Sequence, residues 1–295
     1  MPSSQIQWFP GHMAKTRRII GECLPAVDIV IELRDARIPE SSGNPELVKL
    51  ASGKPVLTVF SKSDLADPAM NAKWADYFEK KGRKSLFIDS ISGKNMNKVG
   101  DAVREVLADK IKKYESRGMS SRNLKAMVVG IPNVGKSSFI NRLAGSKKAK
   151  VENRPGVTLA KQWVMTNQGL ELLDMPGVLW PKFDDVSVGE NLAITKAIKD
   201  EILDCERIAF ALVSRLRTIY PKLLSDRYGL GSPDAYAELE DWEVLELIGK
   251  KRGFLVSGGE INLERAAATV LQEYRLGKLG RITLETPNEH SRIRS

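Results

Sequence analysis

Short apolar runs alternate with amphipathic stretches over the first 180 residues. Ile29-Val30-Ile31-Glu32-Leu33, Val56-Leu57-Thr58-Val59-Phe60, Leu86-Phe87-Ile88 and Ala126-Met127-Val128-Val129 are short and mostly apolar, and they read as buried strands. Segments 161–165 and 170–173 flank Asn167-Gln168-Gly169 and predict a hairpin. Residues 12–24, 44–51, 68–81, 97–116 and 138–144 read as helices. Such alternation predicts a mostly parallel, six-stranded sheet covered on both faces, in a doubly wound α/β domain.

After Trp180-Pro181 the strand signals stop. Apolar residues fall at helical spacing over 204–216, over 236–248 (Leu239, Trp242, Leu245, Ile248) and at Leu263, Ala267, Val270, Leu271 and Tyr274. These stripes read as core. The expected organisation is an α/β domain over 1–182, a small all-α domain over 190–282, and a basic tail over 283–295 with Arg292 and Arg294, approached by Arg281. At the other end, Trp8-Phe9-Pro10-Gly11 should break any helix and leave His12 on a loop.

Composition narrows the setting. The 295 residues carry 46 Lys and Arg against 37 Asp and Glu, a net charge of +9. That surplus suits a polyanionic partner, or simply a solvated basic surface. No apolar run approaches the ~18 residues of a membrane span, and the N-terminus has no apolar signal core. Two distant cysteines, Cys23 and Cys205, outside any C-x-x-C suit free thiols in a reducing compartment. A cytoplasmic location is expected.

Gly130-Ile131-Pro132-Asn133-Val134-Gly135-Lys136-Ser137 lies between a strand and a helix, where G-x-x-x-x-G-K-[ST] has physical meaning. Backbone N–H groups around Val134, Gly135 and Ser138 would curl about a phosphate chain at a helix N-terminus. Lys136 would reach the β- and γ-phosphates and Ser137 would ligate Mg²⁺. Downstream, Thr158 in Arg154-Pro155-Gly156-Val157-Thr158 could complete the Mg²⁺ shell. Asp174-Met175-Pro176-Gly177 follows as D-x-x-G: Asp174 would hold Mg²⁺ through water, and the Gly177 N–H would sense a γ-phosphate. Loops held in this way are released on hydrolysis.

The base-reading element lies upstream. Ser61-Lys62-Ser63-Asp64 follows a buried strand, and the Asp64 carboxylate could accept from N1–H and the 2-amino group of guanine. Adenine would leave that carboxylate unpaired. Lys62 would lie along the base. Asp89-Ser90-Ile91-Ser92-Gly93, after the third strand, suits a loop backing it. A plain polar turn at Ser61–Asp64 is the alternative. The order of elements is a circular permutation, which α/β domains tolerate where old termini lie close together.

These motifs, with Trp8-Phe9-Pro10-Gly11-His12-Met13, Asp35-Ala36-Arg37-Ile38-Pro39 and the helical C-terminal part, make the chain resemble the YlqF/RbgA family of circularly permuted GTPases. The resemblance spans essentially the whole chain. It implies hydrolysis of GTP to GDP with Mg²⁺, and action on a late precursor of the large ribosomal subunit with contacts to rRNA and ribosomal proteins. Val178 follows Gly177, so the glutamine that orients water in Ras-like enzymes is missing. The family implies that His12 positions the water; packing or an RNA phosphate contact is the alternative. Relatives that depend on a monovalent cation imply K⁺ at Asn133, where a turn-forming asparagine is equally in keeping with the sequence. Ser61 departs from the family's asparagine, whose side chain ties the base loop to the P-loop; losing one hydrogen bond would weaken binding by roughly 1 kcal/mol.

Basic clusters at Lys147, Lys148 and Lys150 and at Lys250, Lys251 and Arg252 are candidate RNA contacts or solvated surface. A free monomer is expected. Two other readings stay open: a GTP-gated RNA-binding module with negligible turnover of its own, and a GTPase at an anionic membrane. The second lacks an amphipathic anchor or lipidation signal.

Overall fold

The structure is a computed structural model that describes residues 10–51, 53–118, 122–145, 163–180, 183, 185–198, 200 and 204–287. The chain runs through α1 (Pro10–Cys23), β1 (Ile29–Asp35), α2 (Pro45–Leu50), β2 (Val56–Ser61), α3 (Pro68–Lys80) and β3 (Ser85–Phe87). It continues with α4 (Val99–Val106), α5 (Ala108–Glu115), β4 (Leu124–Gly130), α6 (Lys136–Ala144), β5 (Trp163–Met165) and β6 (Leu170–Asp174).

The six strands order as β3-β2-β1-β4-β6-β5. All neighbours are parallel except β5, which pairs antiparallel with β6 as the hairpin reading expects. All seven residues of β1 are buried, as a strand covered on both faces requires. Helices α1 and α2 cover one face, where Ile20, Cys23 and Leu47 meet Met127, Val129 and Leu173. On the other face Val103, Phe139 and Leu143 pack with Ile31, Leu33 and Val128. Trp74 and Phe78 of α3 close on Phe60 of β2. Each such buried side chain contributes about 1.5–3 kcal/mol.

From β1 the chain moves outward to β2 and β3, then returns to β4 on β1's other side. That reversal opens a crevice at the carboxyl ends of β1 and β4, where α/β proteins place ligands. Asp35, Ser61, Gly130 and Asp174 end four adjacent strands there.

The second unit holds α7 (Val186–Ile194), α8 (Cys205–Ile219), α9 (Pro221–Tyr228), α10 (Asp241–Lys251) and α11 (Leu263–Arg275). Ile208, Leu212 and Leu216 of α8 pack with Leu245 and Ile248 of α10 and with Ala267, Val270 and Leu271 of α11. Helix starts follow cap chemistry: Asp185, Asp204 and Asn262 each accept a backbone N–H of the first turn.

Several expectations need correction. Pro10 and Gly11 do not break the helix but open α1, two residues ahead of the helix expected from His12, because proline's missing N–H costs nothing there. The single helix expected over 97–116 is α4 and α5, divided at buried Leu107, with no Gly or Pro to mark the break. The helix expected from Tyr236 begins at Asp241. Pro233 starts a separate 3₁₀ turn, and a Glu240–Glu243 capping box opens α10. Leu255 and Ile261 add a small antiparallel bridge between α10 and α11. The tail expected over 283–295 is not one at its start: Thr283, Leu284 and Glu285 are buried. Residues 288–295 lie outside the described residues.

Candidate functional site

Local backbone geometry builds the phosphate loop. A side chain at Gly130 would meet the Leu33 carbonyl at 2.8 Å, so β4 must end in glycine for the loop to leave the sheet beside β1. Asn133 and Gly135 both have left-handed backbone, with φ of 57° and 100°. Asparagine tolerates that region better than most residues. Lys136, Ser137 and Ser138 then start α6, whose amide groups face the loop. Gly177 lies against this loop, since a Cβ there would come within 3.0 Å of Pro132. The Val178 N–H donates to the Gly130 carbonyl at 3.1 Å. The structure thus brings D-x-x-G onto the P-loop. The Lys136 ammonium pairs directly with Asp174 Oδ1.

The base loop is tied to the P-loop more firmly than the sequence suggested. The Ser61 Oγ is 3.1 Å from the Arg34 carbonyl and also reaches the carbonyl of Val134, inside the P-loop. Lys62, another left-handed residue, donates from Nζ to the Asn133 carbonyl at 2.7 Å and to Asp35 Oδ2 at 2.9 Å. The tether expected to be missing with asparagine is therefore made by Ser61 and Lys62 together. Its target is backbone carbonyl oxygen, for which a hydroxyl and an ammonium both serve as donors.

Asp35 sits beneath this junction. Its carboxylate takes a bidentate pair from Arg37 (2.9 and 2.8 Å) and the Lys62 contact, with Asp35 and Arg37 each only 2% exposed at the side chain. Burial pushes the Asp35 carboxyl up, but Arg37 and Lys62 outweigh it and hold the group well below the usual range. Burial also lowers the Lys62 ammonium, against the pull of Asp35.

A cavity of about 300 Å³ opens above, lined by Lys62, Asp64, Asp89, Ser90, Asn133 and Gly135. Burial, with the charge of Asp89 nearby, raises the Asp64 carboxyl. Asp89 spends its carboxylate on its own loop, accepting the Ile91 and Ser92 N–H groups at 2.7 and 3.1 Å. Burial raises Asp89, but these hydrogen bonds outweigh it and keep the group ionised below its ordinary value.

Sequence reasoning missed part of this wall. Arg37 of the first domain, and Thr195, Lys196 and Arg275 of the helical unit, also line the cavity. Asn133 donates from Nδ2 to the Lys196 carbonyl at 2.7 Å, so the P-loop touches the second unit directly. Lys196 has φ of 65°, and Arg275 is held by Asp200 and by the Ala193 and Ile194 carbonyls. The left-handed turn after α7 leaves no Gly to flag it in the sequence.

Other expected residues are not assembled here. Thr158, Lys147, Lys148 and Lys150 lie outside the described residues, as does the side chain of His12. Lys250, Lys251 and Arg252 are all exposed, and Arg252 in addition lies over the Tyr228 ring at 5.3 Å and 3.4 Å from Glu273. Among the described residues no group of three His, Cys, Asp or Glu is placed to hold a metal. Among them, too, no helix is long and apolar enough to cross a membrane.

A family model described as "50S ribosome-binding GTPase" matches residues 125–224. Together with the sheet order and the loops at its carboxyl edge, this defines a P-loop GTP hydrolase with circularly permuted motifs. Ribosome biogenesis GTPase A of Priestia megaterium is 46% identical over 96% of this chain and 98% of its own length. The protein of the same name from Bacillus cereus is 45% identical over 96% and 95%. The chain belongs to the ribosome biogenesis GTPase A family. GNP-bound YlqF from T. maritima has the same fold, with a TM-score of 0.64 and 26% identity over 93% of this chain and 99% of that one. A GDP-bound form of that protein gives 0.62 and 25%, over 92% and 99%.

Proposed function

We propose that this chain hydrolyses GTP on a late precursor of the large ribosomal subunit, and that the state of the nucleotide sets its affinity for rRNA and ribosomal proteins there. The observation that carries the reading is the packing of Gly177 on the P-loop. From there the chain runs through buried Val178, Leu179 and Trp180 towards α7. A γ-phosphate contact at Gly177 would therefore act at the root of the helical unit.

The roles that go with this reading are those the motifs assign. Asp64 reads guanine, Lys62 lies along it, and the Asp89-Ser90 loop backs it. Backbone groups of Val134, Gly135 and Ser138 cradle phosphate, and Lys136 neutralises the β- and γ-phosphates. The hard oxygens of Ser137, Asp174 and Thr158 suit Mg²⁺, which would neutralise charge on the transferring phosphoryl group. With Nδ2 engaged at Lys196, the Oδ1 of Asn133 is the atom left to face K⁺. His12 positions the attacking water.

Turnover should rise when purified large ribosomal subunits are added, and sedimentation with them should depend on GTP analogue against GDP. His12→Ala should lose the stimulated rate while keeping GDP affinity. Nucleotide-independent sedimentation with no stimulated turnover would sink the reading, leaving an RNA-binding module.

A further inference from the structure

The guanine-reading loop has two anchors. Ser61 and Lys62 fix its start to the P-loop. Its far side is fixed by the end of the helical unit. Arg281 Nε donates to the Asp64 carbonyl at 2.9 Å, and the Ile282 N–H donates to the Leu65 carbonyl at 3.0 Å. The Asp67 N–H donates to Thr283 Oγ1 at 3.1 Å, and the Tyr220 hydroxyl donates to Asp67 Oδ2 at 3.0 Å. Three residues of the clasp thus bind three of the loop, flanking the carboxylate that faces the cavity.

The clasp is itself locked down. The Leu284 N–H donates to the Arg37 carbonyl at 2.8 Å. The Glu285 carboxylate accepts the Glu40 and Ser41 N–H groups at 2.7 and 3.0 Å and Asn191 Nδ2 at 3.0 Å. The Trp74 indole donates to the Glu285 carbonyl at 3.2 Å. Thr283 and Glu285 are 0% and 2% exposed. Buried polar groups with this many matched partners hold one backbone geometry and resist another. Among the described residues no salt bridge is formed to the Asp64 carboxylate; it accepts its own backbone N–H and is drawn by Arg37 and Arg281 only at longer range, so its aim depends on the backbone of its loop.

The geometry points to residues 281–285 as positioning residues for guanine recognition: docked, they aim Asp64 at the base, and base selectivity falls when they loosen. This rests on the reading of Asp64 as the base-reader. It places the coupling of the helical unit at the base end of the nucleotide, apart from any γ-phosphate effect at Gly177. By reciprocity, a bound guanine holds the clasp down.

The test compares GDP, GMP and IDP, whose hypoxanthine lacks the 2-amino group. Arg281→Ala with Thr283→Val removes two of the loop's hydrogen bonds at conserved volume in the buried position. GDP affinity should fall about tenfold, the expectation for losing two hydrogen bonds with partial compensation. The GDP-over-IDP preference should shrink at least threefold while the GDP-over-GMP ratio stays put. An unchanged GDP-over-IDP preference in folded variant protein overturns the proposal. In the unaltered full chain, amide exchange at Ile282 and Leu284 should slow on adding GDP, and equal exchange overturns it without any variant. Asp64→Asn should move preference from GDP to XDP. If it does not, the base-reading assignment fails, and the proposal with it.

Discussion

One hydroxyl joins the two halves of the nucleotide crevice: Ser61 Oγ, at the end of β2, contacts the Val134 carbonyl in the P-loop, 73 residues away. Lys62 adds a contact to the next carbonyl back, at Asn133. Base loop and phosphate loop therefore move together. Ser61→Ala should leave the buried Val134 carbonyl without its Ser61 contact, at about 1–3 kcal/mol. GDP and GTP affinity should fall about tenfold together, in titration calorimetry at neutral pH. An Ala variant with wild-type affinity would show that Lys62 suffices alone.

Below that junction the Asp35 carboxylate answers two cations, Arg37 and Lys62. Asp35→Asn keeps the shape and strands a buried guanidinium, a change expected to cost about 3–5 kcal/mol in urea unfolding. The sign with pH follows from the lowered Asp35 carboxyl. Its contribution is complete above the ordinary aspartate value, where the unfolded chain is also ionised. It is lost as pH falls below about 4, since the unfolded chain then binds protons that the folded one refuses. Asp28 and Asp89, also lowered, add to the same acid limb. The Asn variant should show a shallower one.

What could be read without coordinates was what is local. The P-loop, D-x-x-G and Ser61–Asp64 are compact patterns, each tied to a strand end, and the sheet carries them to one edge. Ser61 was misjudged because its partner is a carbonyl far away in sequence, and side-chain identity says nothing of distant backbone. Thr195, Lys196 and Arg275 were invisible for a related reason: the helical unit's stripes report its core, not which loop meets the crevice. Residues 283–285 read as tail because Thr283 and Glu285 are polar. They are buried because backbone groups at Glu40, Ser41 and Asp67 satisfy them, and hydropathy does not record partners. Arg252 likewise read as free charge, although it lies 3.4 Å from Glu273.

Asp64 predicts a pH dependence of binding. Burial raises its carboxyl, and on the proposed reading guanine would pair with the ionised form. As pH falls through that raised value, the free protein takes up a proton that must leave before GDP binds. GDP affinity should therefore begin to fall at a higher pH than an ordinary aspartate, near 3.9, would give. IDP, which offers one donor fewer, should show the shallower decline. Dissociation constants measured from pH 7 to pH 4 check both slopes, and parallel curves would remove Asp64 from base recognition.

The direct pairing of Lys136 with Asp174 poses a last question, because both groups are wanted elsewhere once nucleotide arrives. On the proposed reading the ammonium would turn to the β- and γ-phosphates and the carboxylate to Mg²⁺. In the structure each neutralises the other in a partly buried place, their side chains 13% and 34% exposed. Binding would then exchange one ion pair for two, and that exchange would need the metal and the phosphates together. Lys136→Ala should lower single-turnover hydrolysis at least 100-fold, the scale of losing one charge-stabilising donor. Asp174→Asn should leave GDP binding without Mg²⁺ nearly unchanged and raise the Mg²⁺ concentration for half-maximal hydrolysis about tenfold, as outer-sphere partners of metals do. An unchanged Mg²⁺ requirement would confine Asp174 to pairing with Lys136, and the metal's protein ligand would then have to be sought among Ser137 and Thr158.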